Sequence, residues 1–159
     1  MECFEDRKWM ELALEQAKEA YATGEIPVGA VIVKNGEVIA AAHNRCERDR
    51  DATAHAERLA ISEACQTLGS WRLSDCTLYV TLEPCPMCAG AAINARVGRI
   101  VYGIRDARAG ALGSLINLPA YPLEGKPECL GGVMEEECRM LLRAFFSSMR
   151  QKKKEKIGN

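Results

Sequence analysis

The chain has 159 residues, 48% of them hydrophobic and 27% charged, with a formal net charge of −1. This is the balance of an ordinary soluble protein, long enough for one domain with a real core, and it carries no global field that would draw the chain to nucleic acid. No apolar run approaches the roughly 20 residues needed to span a bilayer. The acidic start, Met1-Glu2-Cys3-Phe4-Glu5-Asp6, has no signal-peptide pattern, so a cytoplasmic protein without a membrane partner is expected.

The eight cysteines form one C-x-x-C, Cys85 and Cys88. Without a secretory signal, metal binding or free thiols are favoured over disulfides. Cys3, Cys46, Cys65, Cys76, Cys129 and Cys138 are scattered, and most of them read as small buried apolar residues.

In chain order, Asp6 to Ala22 reads as an amphipathic helix, with Trp9, Leu12, Ala13, Ala17, Ala20 and Tyr21 at helical spacing and Gly24 as its stop. Val28 to Val33 and Glu37 to Ala42 read as strands joined by Asn35-Gly36, the strongest short hairpin signal. Ala41 to Asp51 is polar and irregular. Thr53 is placed to cap a helix from about Ala54 to Leu68, ended by Gly69. Cys76 to Leu82 reads as a strand, Pro86 to Ala95 as a helix and Arg99 to Gly103 as a short strand. Asp106 to Gly132 is rich in glycine and proline and reads as loop. Val133 to Met149 is a second strong amphipathic helix, followed by a basic stretch expected to be a flexible tail over 151–159. Strands alternating with helices imply an α/β sheet that carries one antiparallel hairpin, in a single domain over 1–150.

The chemistry concentrates at two predicted helix starts. In Thr81-Leu82-Glu83-Pro84-Cys85-Pro86-Met87-Cys88, a strand runs into a helix whose first turn holds both sulfurs on one face. The positive helix N-terminus favours the thiolate form that binds metal, and Pro86 is tolerated there because its missing N–H would have no partner. The chain holds only two histidines, and one of them, His55, lies in Thr53-Ala54-His55-Ala56-Glu57 at the other helix start. Helix N-termini gather at the carboxyl ends of strands in an open α/β sheet, so His55, Cys85 and Cys88 are expected to converge. Two sulfurs and one nitrogen leave one corner of a tetrahedral zinc site open, the pattern of a catalytic centre. Glu57 would stand beside the water in that corner and shuttle its proton to a leaving nitrogen. A thioredoxin-like redox pair also opens a helix with C-x-x-C, but it needs no H-x-E. A structural four-cysteine site would need a second C-x-x-C, which the chain lacks.

His55-Ala56-Glu57 with Pro84-Cys85-Pro86-Met87-Cys88 resembles the signature of the cytidine-deaminase-like zinc deaminases. Gly24-Glu25-Ile26-Pro27-Val28-Gly29-Ala30-Val31, Trp71-Arg72-Leu73, Arg105-Asp106, Gly113-Ser114-Leu115 and the last helix with Phe145-Phe146 resemble one branch, the bacterial tRNA-specific adenosine deaminases. The resemblance runs from about Trp9 to Arg150. It implies a three-layer α/β/α cytidine-deaminase-like fold with a central mixed sheet of about five strands and helices on both faces. It implies hydrolytic deamination of adenosine to inosine at the wobble position of a tRNA anticodon, of arginine tRNA above all, in which zinc-bound hydroxide attacks C6 and Glu57 shuttles protons. One zinc per subunit would be held by His55, Cys85 and Cys88 in a homodimer that binds the tRNA anticodon stem-loop. Asn44, Val28, Asp106, Phe146 and Arg150 match positions that bind the substrate. The stretch Leu123 to Glu128 lacks an Asn-His-Arg run that many members carry there. The zinc constellation alone leaves open a deaminase of a free nucleobase or nucleotide, such as guanine or a cytosine derivative.

Overall fold

The structure is a computed structural model that describes residues 2–158. A five-stranded mixed sheet has the order β2-β1-β3-β4-β5, formed by β1 (Gly29–Lys34), β2 (Glu37–His43), β3 (Cys76–Leu82), β4 (Arg99–Ile104) and β5 (Glu128–Gly131). β1 runs antiparallel to β2 and β3, and β3, β4 and β5 are parallel. Asn35 and Gly36 both take positive φ, 50° and 75°. That geometry turns a two-residue hairpin with the hand of the strand twist.

Helices cover both faces. α1 (Phe4–Ala22) and α5 (Glu135–Gly158) pack on one face, around Trp9, Met10, Val31, Tyr79, Val101 and Cys138. α3 (Ala56–Leu68) and α4 (Pro86–Asn94) pack on the other, around Ile32, Ala60, Leu78, Val80, Ala92 and Ile100. The central strands β3 and β4 bury side chains on both faces, as a sheet covered on both sides requires. α1 lies so close to β1 that a Cβ on Gly29 would meet the Ala13 carbonyl oxygen at 2.0 Å.

A buried ion pair fastens the start of α1 to the sheet. Asp6 is fully buried and accepts from both Arg99 Nη atoms at 2.7 and 2.9 Å. It also accepts the Tyr79 hydroxyl at 2.9 Å and the Cys3 N–H at 2.8 Å. Burial opposes ionisation of Asp6, but these donors outweigh it and hold the carboxyl well below the usual carboxylate range.

Several local expectations are corrected. The buried stripe of α1 is Trp9, Met10, Ala13, Leu14, Ala17 and Ala20, whereas Leu12 is 40% exposed. The polar segment before His55 contains a short helix, α2 (Cys46–Asp49). Thr53 does not cap α3: its N–H and hydroxyl both bond Asp51 Oδ1, in a turn that precedes the helix. The fifth strand lies inside the stretch expected to be loop. α5 continues past Met149 to Gly158, so residues 151–158, expected as a tail, are helical and exposed. Of the six scattered cysteines only Cys76 and Cys138 are buried; Cys3 and Cys129 are exposed. Among the described residues no helix is long and apolar enough to cross a membrane.

Candidate metal centre and substrate face

His55 and Cys85 occupy equivalent places. Each is the extended residue at the head of a helix, His55 before α3 and Cys85 before α4. Their carbonyl oxygens accept the N–H of Leu59 and of Ala89, at 3.0 and 2.8 Å, which closes the first turn of each helix. α3 is capped from a distance: the Ala56 N–H donates to Asn44 Oδ1 at 2.8 Å, while Asn44 Nδ2 donates to the Ile26 carbonyl. Pro86 takes the first position of α4, and Cys88 follows on the same turn. Two helix N-termini therefore face one point and favour negative charge there.

The ligand atoms of His55, Cys85 and Cys88 lie within 4.8 Å of one another. His55 Nδ1 is 3.5 Å from Cys85 Sγ and 3.6 Å from Cys88 Sγ. A tetrahedral zinc with bonds of about 2.3 Å to sulfur and 2.0–2.1 Å to nitrogen has S···N edges of about 3.6 Å. Donor set and spacing both fit such an ion. The hydrogen bond from Cys88, opposed by burial and aided by His55, brings the Cys85 thiol down to about 4. The same bond and burial push Cys88 up. Glu57, in the first turn of α3, is 4% exposed, and burial pushes its carboxyl up to about 7. A carboxyl with that affinity near neutral pH can both accept and return a proton.

The family model of the MafB19-like deaminases matches residues 4–124. The tRNA-specific adenosine deaminase of Bacillus subtilis is 50% identical over 151 residues, 94% of each chain. A solved structure from work on tRNA:A34 deaminases, which perform A-to-I editing at the wobble position of transfer RNA, superposes with a TM-score of 0.82 at 43% identity. That match covers 84% of this chain and 98% of the other. The chain belongs to the tRNA-specific adenosine deaminase family. The guanine deaminase of Nitrosomonas europaea is a more distant neighbour of the family's fold, with a TM-score of 0.74 at 29% identity over 87% of this chain and 83% of its own.

Of the other residues singled out from the sequence, Asn44, Asp106 and Arg150 line clefts that share Phe146. This side chain is 43% exposed and stacks edge-on against Phe145, their centroids 5.5 Å apart, while Phe145 takes the buried place. A cleft of about 290 Å³ joins Phe146 to Asn44, Glu25 and Cys46. One of about 600 Å³ joins Phe146 to Ile26, Leu82 and the segment Arg105–Ala109, which includes Asp106. A third, of about 540 Å³, joins it to Arg150, Lys152, Lys153 and Lys156. Val28 is buried in the core cluster beneath α3, and its carbonyl accepts the Asn44 N–H at 3.1 Å. Lys126 donates to the carbonyls of Pro119 and Tyr121, bracing its own loop.

Around the site, two buried acids, Glu25 and Glu83, were not singled out from the sequence. Glu25 accepts the N–H groups of Glu47 and Arg48 at 2.9 and 2.8 Å, and so holds the start of α2 beside Asn44. Glu83 accepts from the loop that follows β4. Only one signal could have found Glu83: a carboxylate inside a buried run, between Leu82 and Pro84, must have donors waiting.

Proposed function

We infer that this enzyme hydrolytically deaminates adenosine to inosine at the wobble position of a tRNA anticodon. The observation that carries this is the His55–Cys85–Cys88 cluster with the buried Glu57, in a chain 50% identical over 94% of its length to a tRNA-specific adenosine deaminase. Hydrolysis exchanges the C6 amino group of adenine for oxygen from water and releases ammonia. The base must be flipped out of its stack to expose C6.

His55, Cys85 and Cys88 would hold zinc, one ion per subunit. A zinc ion at that position supplies Lewis-acid activation of water near neutral pH. Glu57 would take one proton from the attacking water and pass it to the ring nitrogen, then take the second proton from the new C6 hydroxyl and pass it to the departing amine, so that it ends as it began. Its burial keeps bulk water from competing for those protons. Asn44 spends both ends of its amide on the Ile26 carbonyl and the Ala56 N–H, so its contact with the nucleoside would come from a side chain already fixed. Val28 would support that pocket from the core side. Asp106 would contact the neighbouring nucleotide. Phe146, exposed at the junction of three clefts, would stack on a base of the anticodon loop. Arg150 and the lysines after it would meet phosphates, which adds affinity without sequence information.

An arginine tRNA as substrate, a homodimer that shares the RNA, and a cytoplasmic location complete the proposal. The likeness to a guanine deaminase favours one second reading, turnover of a free purine. A wobble-adenosine anticodon stem-loop and free guanine, each followed by product analysis, separate the two. Inosine in the stem-loop supports the tRNA reading, and xanthine with untouched RNA supports the other.

A further inference from the structure

We propose that Glu83 is a positioning residue whose buried carboxylate clamps the 106–114 loop onto the metal-binding turn and so fixes Asp106 for RNA. Glu83 is 2% exposed and lies two residues before Cys85. Its Oε1 accepts the Asp106 N–H at 3.1 Å and the Ser114 hydroxyl. Its Oε2 accepts the N–H groups of Leu112 and Ser114 at 3.0 and 3.2 Å.

The loop is shaped to wrap this carboxylate. A Cβ on Gly110 would lie 2.4 Å from the Glu83 carboxylate, so only glycine lets the backbone pass there. Neighbouring backbone bonds lock the same junction. The Ala111 N–H donates to the Pro84 carbonyl at 2.8 Å, and the Glu83 N–H to the Ile104 carbonyl at 2.8 Å. Asp106 is held in turn: its Oδ1 accepts the N–H groups of Arg108 and Ala109. One short segment thus carries both a metal ligand and the anchor of a substrate wall. A displacement of Glu83 would move Asp106 relative to Cys85 without removing any group that touches the reacting atoms.

The role at RNA rests on the tRNA reading above; the clamp itself does not. The test uses Glu83→Gln, Gly110→Ala and Ser114→Ala in the zinc-loaded enzyme. Gln keeps the shape but turns an N–H₂ toward N–H donors. Gly110→Ala disturbs the clamp without changing a charge, and Ser114→Ala removes one donor and serves if the first two fail to fold. Amide hydrogen exchange at Asp106, Leu112 and Ser114 is expected to accelerate while zinc content stays at one per chain. KM for a wobble-adenosine stem-loop is expected to rise about tenfold with Glu83→Gln and Gly110→Ala, and kcat to fall much less, because orientation and not chemistry is lost. Ser114→Thr, which keeps the hydroxyl, is expected to restore exchange protection and KM. Unchanged exchange in the variants overturns the clamp. Faster exchange with wild-type KM overturns its role at RNA, as does equal loss of zinc and kcat. If wild type leaves the stem-loop unchanged, the tRNA reading fails, and the exchange arm still decides the clamp.

Discussion

Asp6→Ala removes an acceptor at which four donors end: two from Arg99, one from Tyr79 and one from Cys3. Breaking a buried ion pair from one side costs roughly 3–5 kcal/mol where the partner charge is left uncompensated. Arg99 keeps 19% of its side-chain exposure and also faces the Glu128 carboxylate at 3.9 Å, so its charge stays partly compensated and the cost falls near the lower end, about 3 kcal/mol. For a chain of this size each kcal/mol shifts Tm by about 2–4 °C, so the variant should melt about 6–12 °C lower. Scanning calorimetry of both zinc-loaded proteins at pH 7 measures this. The pH dependence has a fixed sign. The folded-state pKa of Asp6 is depressed, so its contribution is fully present above the unfolded value of about 3.9 and is lost as pH falls through the folded value. The gap between the two proteins should therefore stay constant from pH 8 to 5 and narrow below about pH 4. A Tm difference under about 2 °C at pH 7, or a gap that widens in acid, would refute the ion-pair account.

Further outcomes follow from the same structure. Glu57→Gln should keep zinc and fold and lower kcat by about 10²–10⁴, the usual contribution of a positioned proton carrier; full turnover in this variant would remove Glu57 from the mechanism. Cys88→Ala takes away a buried thiol of the candidate metal cluster. Elemental analysis should find its zinc lost and a thermal melt should find it less stable; unchanged zinc content counts against the ligand set. Gly29→Ala drives a methyl into the Ala13 carbonyl oxygen and the Ala17 N–H, at 2.0 and 2.4 Å, and should cost at least about 1–3 kcal/mol in urea unfolding. A silent substitution there would mean that α1 can move off the sheet.

What the sequence made legible was local. The Asn35-Gly36 hairpin, the two long amphipathic helices and the helix-start cysteines are set by spacings of two to four residues, and the structure has each of them. His55 and Cys85 are separated by 30 residues, yet both stood out because each opens a helix beside a chemically distinctive neighbour. What escaped was non-local. β5 is a four-residue edge strand whose pairing with β4 joins residues nearly 30 apart, Arg99 with Glu128, and its glycine gives no strand signal. α2 exists because Glu25 caps it from 22 and 23 residues away. The cap of α3 is likewise Asn44 and not the nearby Thr53, whose hydroxyl is engaged by Asp51. Family resemblance marks Asn44 as a candidate substrate contact, whereas its bonds to Ile26 and Ala56 are visible only in three dimensions. Glu25 and Glu83 share that property: their partners are mostly backbone N–H groups, which every sequence contains and no pattern marks.

We propose deamination of a wobble adenosine in tRNA at the His55–Cys85–Cys88 cluster and Glu57. Its most direct test is incubation of the zinc-loaded enzyme with an anticodon stem-loop of arginine tRNA carrying adenosine at the wobble position, followed by digestion and nucleoside analysis. Wobble adenosine should be converted to inosine, and this conversion should be lost with Glu57→Gln. Adenosine left intact by the zinc-loaded wild type, or inosine formed equally well by the variant, would contradict it.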